Sequence, residues 1–122
     1  MTAIAATVVL IPSSAKAEWI YATSGNGFDI LIEDSSVTNQ GNTVSYWQQD
    51  VWERPFKGQA KQVISQYALN CSNSSNTTIT STAYNSSGKP LTNPALSSRP
   101  GSIRTNLPGT IGYTIQQMIC GN

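Results

Sequence analysis

Alternating apolar and polar positions predict β-strands along most of this chain. Five segments rich in β-branched and aromatic residues are separated by runs of Gly, Asn, Ser and Pro, which favour turns. These predicted strands cover residues 19–23, 28–33, 43–52, 61–71 and 77–84. Residues 91–107 are rich in Pro and Ser, so we expect an irregular segment with a short strand around Ile103.

The apolar pattern changes near the C-terminus from that of strands to that of a helix. Apolar residues recur there at helical spacing, at Ile111, Ile115, Met118 and Ile119. Thr110 is a suitable N-cap, and Gly121 is expected to end the helix. The sequence therefore predicts an α+β fold, in which an antiparallel sheet packs against one helix over residues 111–120.

The first seventeen residues have the pattern of an export signal. A short apolar run at residues 3–11 is followed by Ala15, Lys16 and Ala17, which fit the small-x-small site that signal peptidase cleaves. The alternative is an ordinary buried strand over residues 7–11. We expect cleavage after Ala17, which leaves residues 18–122 as one domain in the periplasm or at the cell surface. No Cys lies near the cleavage point, so no lipid anchor is expected.

Cys71 and Cys120 are the only cysteines in the chain. An even pair in an exported protein predicts a disulfide, with two buried free thiols as the alternative. The bridge would close a loop of about 50 residues and contribute roughly 4 kcal/mol of stability. We expect it to join the helix to the fourth strand, with Cys71 facing the core.

The composition of the chain excludes several classes of partner and of catalytic site. The chain has 7 Lys and Arg against 6 Asp and Glu, so a nucleic-acid partner is not expected. It has no His, which excludes Ser-His-Asp catalysis and the usual zinc sites, and we expect no metal and no cofactor. A hydrolase based on carboxylates would use Asp29, Glu33 and Asp50. However, Asp29 and Glu33 are roughly 13 Å apart on a regular strand, so the protein is expected not to be an enzyme.

Aromatic residues of the third strand are the best candidates for a binding surface. Tyr46 and Trp47 are adjacent and must point to opposite faces of the sheet, whereas Trp52 shares a face with Tyr46. Arg54 lies beside Trp52 and adds a charged contact. We take Tyr46, Trp47, Trp52 and Arg54 as the candidate surface. The alternative is that a dimer partner or the long loop covers the second face.

The order of several short motifs resembles the surface-adhesin protein E family of bacterial exported proteins. The motifs are Trp19-Ile20-Tyr21, residues 29–36, 41–52, 65–71 and 84–89, Pro100-Gly101-Ser102-Ile103 and Ile119-Cys120. The resemblance implies an antiparallel sheet of about six strands with a C-terminal helix bridged to it. It also implies dimerisation and binding of host proteins such as vitronectin, laminin and plasminogen, although no binding residue can be transferred by motif.

Together these observations predict an exported, non-enzymatic module that binds a protein partner, as surface adhesins bind host extracellular proteins. The alternative is a periplasmic accessory or structural protein that acts as a homodimer.

Overall fold

The computed structural model describes residues 18–121, which contain eight strands and one α-helix. The predicted leader in residues 1–17 lies outside this range, so its cleavage remains a prediction. In chain order the elements are β1 (Trp19–Gly25), β2 (Phe28–Glu33), β3 (Thr38–Gln40), β4 (Thr43–Phe56), β5 (Ala60–Asn70), β6 (Ser75–Tyr84), β7 (Pro90–Leu91), β8 (Ile103–Thr105) and α1 (Ile111–Cys120). Two short 3₁₀ helices, Asp34–Ser36 and Pro94–Leu96, follow β2 and β7.

All strand pairs in the sheet are antiparallel, and the main path runs β1-β2-β4-β5-β6-β7. Two three-residue strands, β3 and β8, lie beside this path. β3 pairs with the start of β4, on the edge where β2 pairs with later residues. In the same way, β8 and β7 share one edge of β6. The long hairpin of β4 and β5 therefore forms the centre of the sheet.

The sheet has eight strands rather than the six that the sequence predicted. The strand expected around Ile103 is present as β8. The additional strands, β3 and β7, have only three and two residues, and most of these are exposed. Such short edge strands form through backbone hydrogen bonds and show no apolar alternation, so the sequence pattern does not indicate them.

β4 is longer than predicted because it continues through Pro55 to Phe56. Its register against β5 shifts between Val51 and Phe56, so Pro55 makes no pair in that ladder. A proline, which lacks an N–H donor, is tolerated at such an irregular point. The hairpin then turns at Lys57 and Gly58, whose φ angles are 53° and 75°. Positive φ at two central residues suits the twist of a tight hairpin.

The inner face of the sheet, which meets α1, carries the core. Ile30 and Ile32 of β2 are buried on this face, as the sequence predicted, whereas Asp29 on the other face is exposed and Leu31 is half-buried. One cluster lies under the helix and consists of Ile30, Ile32, Tyr46, Tyr67, Leu69 and Ile115. A second lies toward the other end of the sheet and consists of Ala60, Val63, Ala83 and Leu96.

Helix α1 has the bounds and the caps that the sequence predicted. The Thr110 hydroxyl accepts a hydrogen bond from the Tyr113 backbone N–H, and Gly121 ends the helix with a φ of 79°. Ile115 is buried, but Met118 is 45% exposed, so the apolar face is narrower than expected. No helix within residues 18–121 is long and apolar enough to cross a membrane.

The predicted disulfide joins Cys71 to Cys120, with their Cα atoms 5.9 Å apart. One expectation about it is wrong. β5 ends at Asn70, and Cys71 lies half-buried in the following turn rather than on the core face of a strand. Its backbone N–H donates to the Asn42 carbonyl, which holds the turn against the start of β4. The bridge therefore ties the end of α1 to the rim of the sheet.

A buried polar cluster also fixes the helix to the sheet. Gln116 of α1 accepts a hydrogen bond from Asn106 Nδ2 and donates its own Nε2 to Ser74 Oγ. Asn106 is held in turn by its backbone N–H, which donates to the Ser74 carbonyl. Gln116 and Asn106 are both buried, so their hydrogen bonds satisfy groups that burial would otherwise penalise.

Candidate functional site

A groove of about 470 Å³ opens on the inner face of the sheet. One side is formed by the segment from Arg104 to the first turns of α1. The other side is formed by the loop from Ala95 to Ser98. The groove lies between the two apolar clusters, where the inward positions of the strands carry polar and aromatic side chains. Its volume is within the range of small-ligand sites.

The floor of the groove is a chain of polar side chains. Gln48 Nε2 donates to Asp50 Oδ1 at 2.8 Å, and the Tyr46 hydroxyl donates to Gln48 Oε1 at 3.4 Å. Asn76 Nδ2 donates to the Tyr46 hydroxyl at 3.5 Å. The donors in this chain all point toward Asp50, so the carboxylate is its final acceptor.

Two acceptors on the floor lack a hydrogen-bond partner within residues 18–121, and the one on Asp50 is open to a ligand. Asn76 is buried, and its Oδ1 has no hydrogen-bond partner among the described residues. Asp50 uses one carboxylate oxygen for Gln48, which leaves the other oxygen free to accept. A buried polar atom without a partner loses its hydration without compensation. The floor is therefore complementary to a ligand that donates hydrogen bonds.

Burial changes the acidity of two groups in the groove. It raises the pKa of the Asp50 carboxyl above its ordinary value, an effect that the Gln48 hydrogen bond and the positive charge of Arg104 oppose. Burial also raises the pKa of the Tyr46 hydroxyl well above its ordinary value, so this group stays protonated and can donate. A cationic or donating group beside Asp50 would stabilise its charged form.

Arg104 contributes a positive charge at the rim. It is exposed on β8, opposite Asn76 in the strand register, and its guanidinium carbon lies 5.6 Å from the centre of the Tyr67 ring. This is the geometry of a cation–π contact. The groove thus has a carboxylate on its floor and a guanidinium at its rim.

Three aromatic rings form one end of the groove. Trp52 of β4 pairs with Phe28 of β2, and the centroids of their rings lie 4.4 Å apart. The Trp52 ring also stacks on that of Phe56 of the same strand, with the centroids 4.7 Å apart. All three rings are half-buried, so they present apolar edges to the groove while supporting one another. Aromatic residues of this kind anchor partners at protein interfaces.

The structure brings together only part of the predicted binding surface. Trp52 and the hydroxyl end of Tyr46 line the groove, although Tyr46 is only 1% exposed and belongs mainly to the core. Trp47 is half-buried on the outer face, as the predicted alternation required. Arg54 is exposed beyond the lining of the groove. The candidate surface is therefore divided between two faces of the sheet.

The three acidic residues considered for a hydrolase do not converge. Asp29 is exposed and alternates with Ile30, which faces the core. Glu33 is fully buried and is held by Ser35 and the Glu18 backbone. Asp50 lies on the opposite, inner face. In addition, residues 18–121 contain no cluster of three His, Cys, Asp or Glu side chains suited to a metal.

Gln48, Asn76 and Arg104 line the groove but are not among the predicted site residues. For Gln48 a signal was present, because Tyr46, Gln48, Asp50 and Trp52 occupy every second position of one strand and so share a face. Asn76 lies in a run of Ser, Asn and Thr whose composition is typical of a loop. Arg104 lies in a segment that the sequence predicts to be irregular. Only the pairing of β6 with β8 shows that these two residues lie at the groove.

Comparison with known proteins assigns the fold to a family. The sequence profile of surface-adhesin protein E matches residues 19–121, which is most of the chain. The chain belongs to the surface-adhesin protein E family. A search of curated proteins gives no significant match. Family membership confirms the resemblance drawn from the sequence motifs.

Solved structures of Haemophilus influenzae protein E share the fold of this family member. One crystal form has a TM-score of 0.61 at 16% identity, covering 88% of this chain and 98% of the other. Protein E from a non-typeable strain has a TM-score of 0.59 at 17% identity, covering 91% and 80%. A selenomethionine form has a TM-score of 0.59 at 19% identity, covering 91% and 92%. These likenesses establish the architecture, and the groove residues are those of this chain.

Proposed function

We propose that this member of the surface-adhesin protein E family is exported, is displayed at the cell surface and binds host extracellular proteins without enzymatic activity. The family supports a surface adhesin. The predicted leader in residues 1–17 supports export. Vitronectin, laminin and plasminogen, which the family resemblance suggests, are the first partners to test.

The observation that carries the binding role is the groove on the inner face. It combines an aromatic wall at Trp52 with a free acceptor at Asp50. A partner would fill it with an apolar side chain against the aromatic rings and a donating group against the floor. Such a buried contact between charged or polar groups supplies specificity as well as affinity.

Location is tested by protease treatment of intact cells, followed by mass spectrometry of the released peptides. We expect peptides from residues 18–122 while periplasmic marker proteins stay intact. If these peptides appear only after the outer membrane is broken, surface display is wrong.

A second candidate function is a periplasmic accessory or structural protein that acts as a homodimer. The outer face of the sheet favours it, because Trp47 and Val51 stay partly exposed there. Sedimentation of the exported protein tests this candidate. A dimer that Trp47→Glu converts to a monomer would support it, and a monomeric wild-type protein would exclude it.

A further inference from the structure

Glu33 is a fully buried carboxylate at the end of β2, with 0% of its surface exposed. Its Oε2 accepts a 2.7 Å hydrogen bond from the backbone nitrogen of Glu18. The Ser35 hydroxyl lies 2.8 Å from Oε1 and 2.9 Å from Oε2 and donates to the carboxylate. Neither of these donors carries a charge in the uncleaved chain.

The nitrogen that contacts Glu33 belongs to the residue that directly follows the predicted cleavage point. Cleavage after Ala17 would turn the Glu18 amide nitrogen into a primary α-ammonium, which carries a positive charge and three donors. We propose that Glu33 is the docking site for this new N-terminus, so that removal of the leader creates a buried ion pair between the Glu18 α-ammonium and the Glu33 carboxylate.

The backbone already holds Glu18 in the required position. Its carbonyl accepts a hydrogen bond from the Asp34 backbone N–H at 3.0 Å, and the next residue, Trp19, pairs with Glu33 in the β1–β2 ladder. The ammonium would therefore form at the observed nitrogen without a movement of the chain. One additional residue would carry the ammonium about 3.8 Å further along the chain and leave a neutral amide at Glu33.

The strength of the contact between Glu18 and Glu33 depends on whether the leader has been removed, because cleavage adds a positive charge to the Glu18 nitrogen. A buried carboxylate is costly unless charged or polar groups compensate it, and removing one member of a buried ion pair is strongly destabilising. The processed chain supplies the missing positive charge at a distance typical of a charge-assisted hydrogen bond. Leader removal would thus stabilise the mature fold as well as release the protein from its export signal.

The first test follows processing of the full chain in an exporting bacterium. Mass spectrometry of the mature protein identifies its N-terminal residue, and we expect Glu18 with a free amine. A mature terminus at any other residue would overturn the proposal, because only Glu18 places an ammonium at Glu33.

The second test compares chains that begin at Glu18 with chains that begin at Ala17, each released from a fusion by a protease that leaves no added residue. We expect the Glu18 chain to melt at least about 5 °C higher than the Ala17 chain. In the Glu33→Gln background this difference should disappear, because the carboxylate charge is gone. Equal melting temperatures with Glu33 intact, or an unchanged difference with Glu33→Gln, would overturn the proposal.

Acetylation of the α-amino group provides a test that does not need a Glu33 variant. It removes the positive charge from the chain that begins at Glu18 while leaving every side chain of β2 in place. We expect acetylation to lower the melting temperature to that of the chain beginning at Ala17. A chain whose melting temperature is unaffected by acetylation would contradict an ion pair at Glu33.

Discussion

Asp50 is the residue whose surroundings decide the electrostatics of the groove. Its register neighbours on β2 and β5 are Ile30 and Val63, both buried and apolar. Burial there disfavours the charged carboxylate, and the Gln48 amide opposes this effect through a hydrogen bond. A partner that donates to Asp50 would add to that compensation, so binding and the acidity of this carboxyl are coupled.

We expect the raised pKa of Asp50 to appear as a pH dependence of stability. Because the folded protein holds the proton of Asp50 more tightly than the unfolded chain does, the stability linked to that proton is fully present below the ordinary pKa of 3.8. It is lost as pH rises through the folded pKa. The melting temperature of wild type minus that of Asp50→Asn should therefore fall as pH is raised from 3 to 7. A difference that rises with pH would contradict a raised pKa.

Gly112 lies within α1, although glycine disfavours helices, because the packing around it leaves no room for a side chain. A Cβ at this position would collide with Asn106 Oδ1. We expect Gly112→Ala to displace Asn106 from Gln116 and to destabilise the protein by about 1–3 kcal/mol, although alanine favours an isolated helix by about 1 kcal/mol. Urea unfolding measures this. Thr114→Ala on the exposed side of the helix is the control, and equal stability of the two variants would contradict the predicted collision.

At the scale of elements, the sequence predicted the helix better than the edges of the sheet. The helix has its own period, a hydroxyl cap at Thr110 and a glycine at its end, and these local signals were sufficient. The strands β3 and β7 depend on pairing with β4 and β6, which are distant in sequence. Gln116 was also missed, because its burial depends on partners at Asn106 and Ser74 that the helix pattern does not reveal.

The inward face of α1 is tested by a matched pair of substitutions. Ile115 is 4% exposed and Met118 is 45% exposed on the same helix. We expect Ile115→Asp to destabilise the protein by more than about 3 kcal/mol, because it buries a charge. Met118→Asp should cost less than about 1 kcal/mol. Urea unfolding followed by circular dichroism measures both, and similar losses would mean that the helix face is misassigned.

Reduction tests how much the disulfide contributes to the link between α1 and the sheet. Opening the Cys71–Cys120 bridge frees a segment with a sequence separation of 49 residues. We expect the melting temperature to fall by more than about 10 °C, since the bridge is worth a few kcal/mol in a domain of this size. Calorimetry with and without reductant measures the change, and the Cys71→Ser, Cys120→Ser double variant should be insensitive to reductant. An unchanged melting curve would contradict this contribution.

At the scale of the whole molecule, the sheet separates two kinds of surface. The inner face carries α1 and the groove, and the outer face carries Trp47 and partly exposed aliphatic residues. Alternation along β4 predicted that Trp47 and Trp52 would separate, but it could not show which face the helix covers. The groove depends on β8 and the loop before it, which bring Arg104 opposite Asn76 through long-range pairing. This explains why the sequence indicated the family and most of the sheet but only part of the site.

In the proposed function, the groove of the exported, surface-displayed protein binds a host extracellular protein. The most direct test measures binding of the mature protein to immobilised vitronectin, laminin and plasminogen and compares wild type with Asp50→Asn. We expect the wild type to bind at least one of these proteins. Asp50→Asn should weaken that binding at least tenfold, or about 1.4 kcal/mol, because it removes the negative charge from the floor. Gln49→Ala, the neighbour on the outer face, should bind as the wild type does. No binding to any of the three, or equal binding by Asp50→Asn and wild type, would contradict the claim.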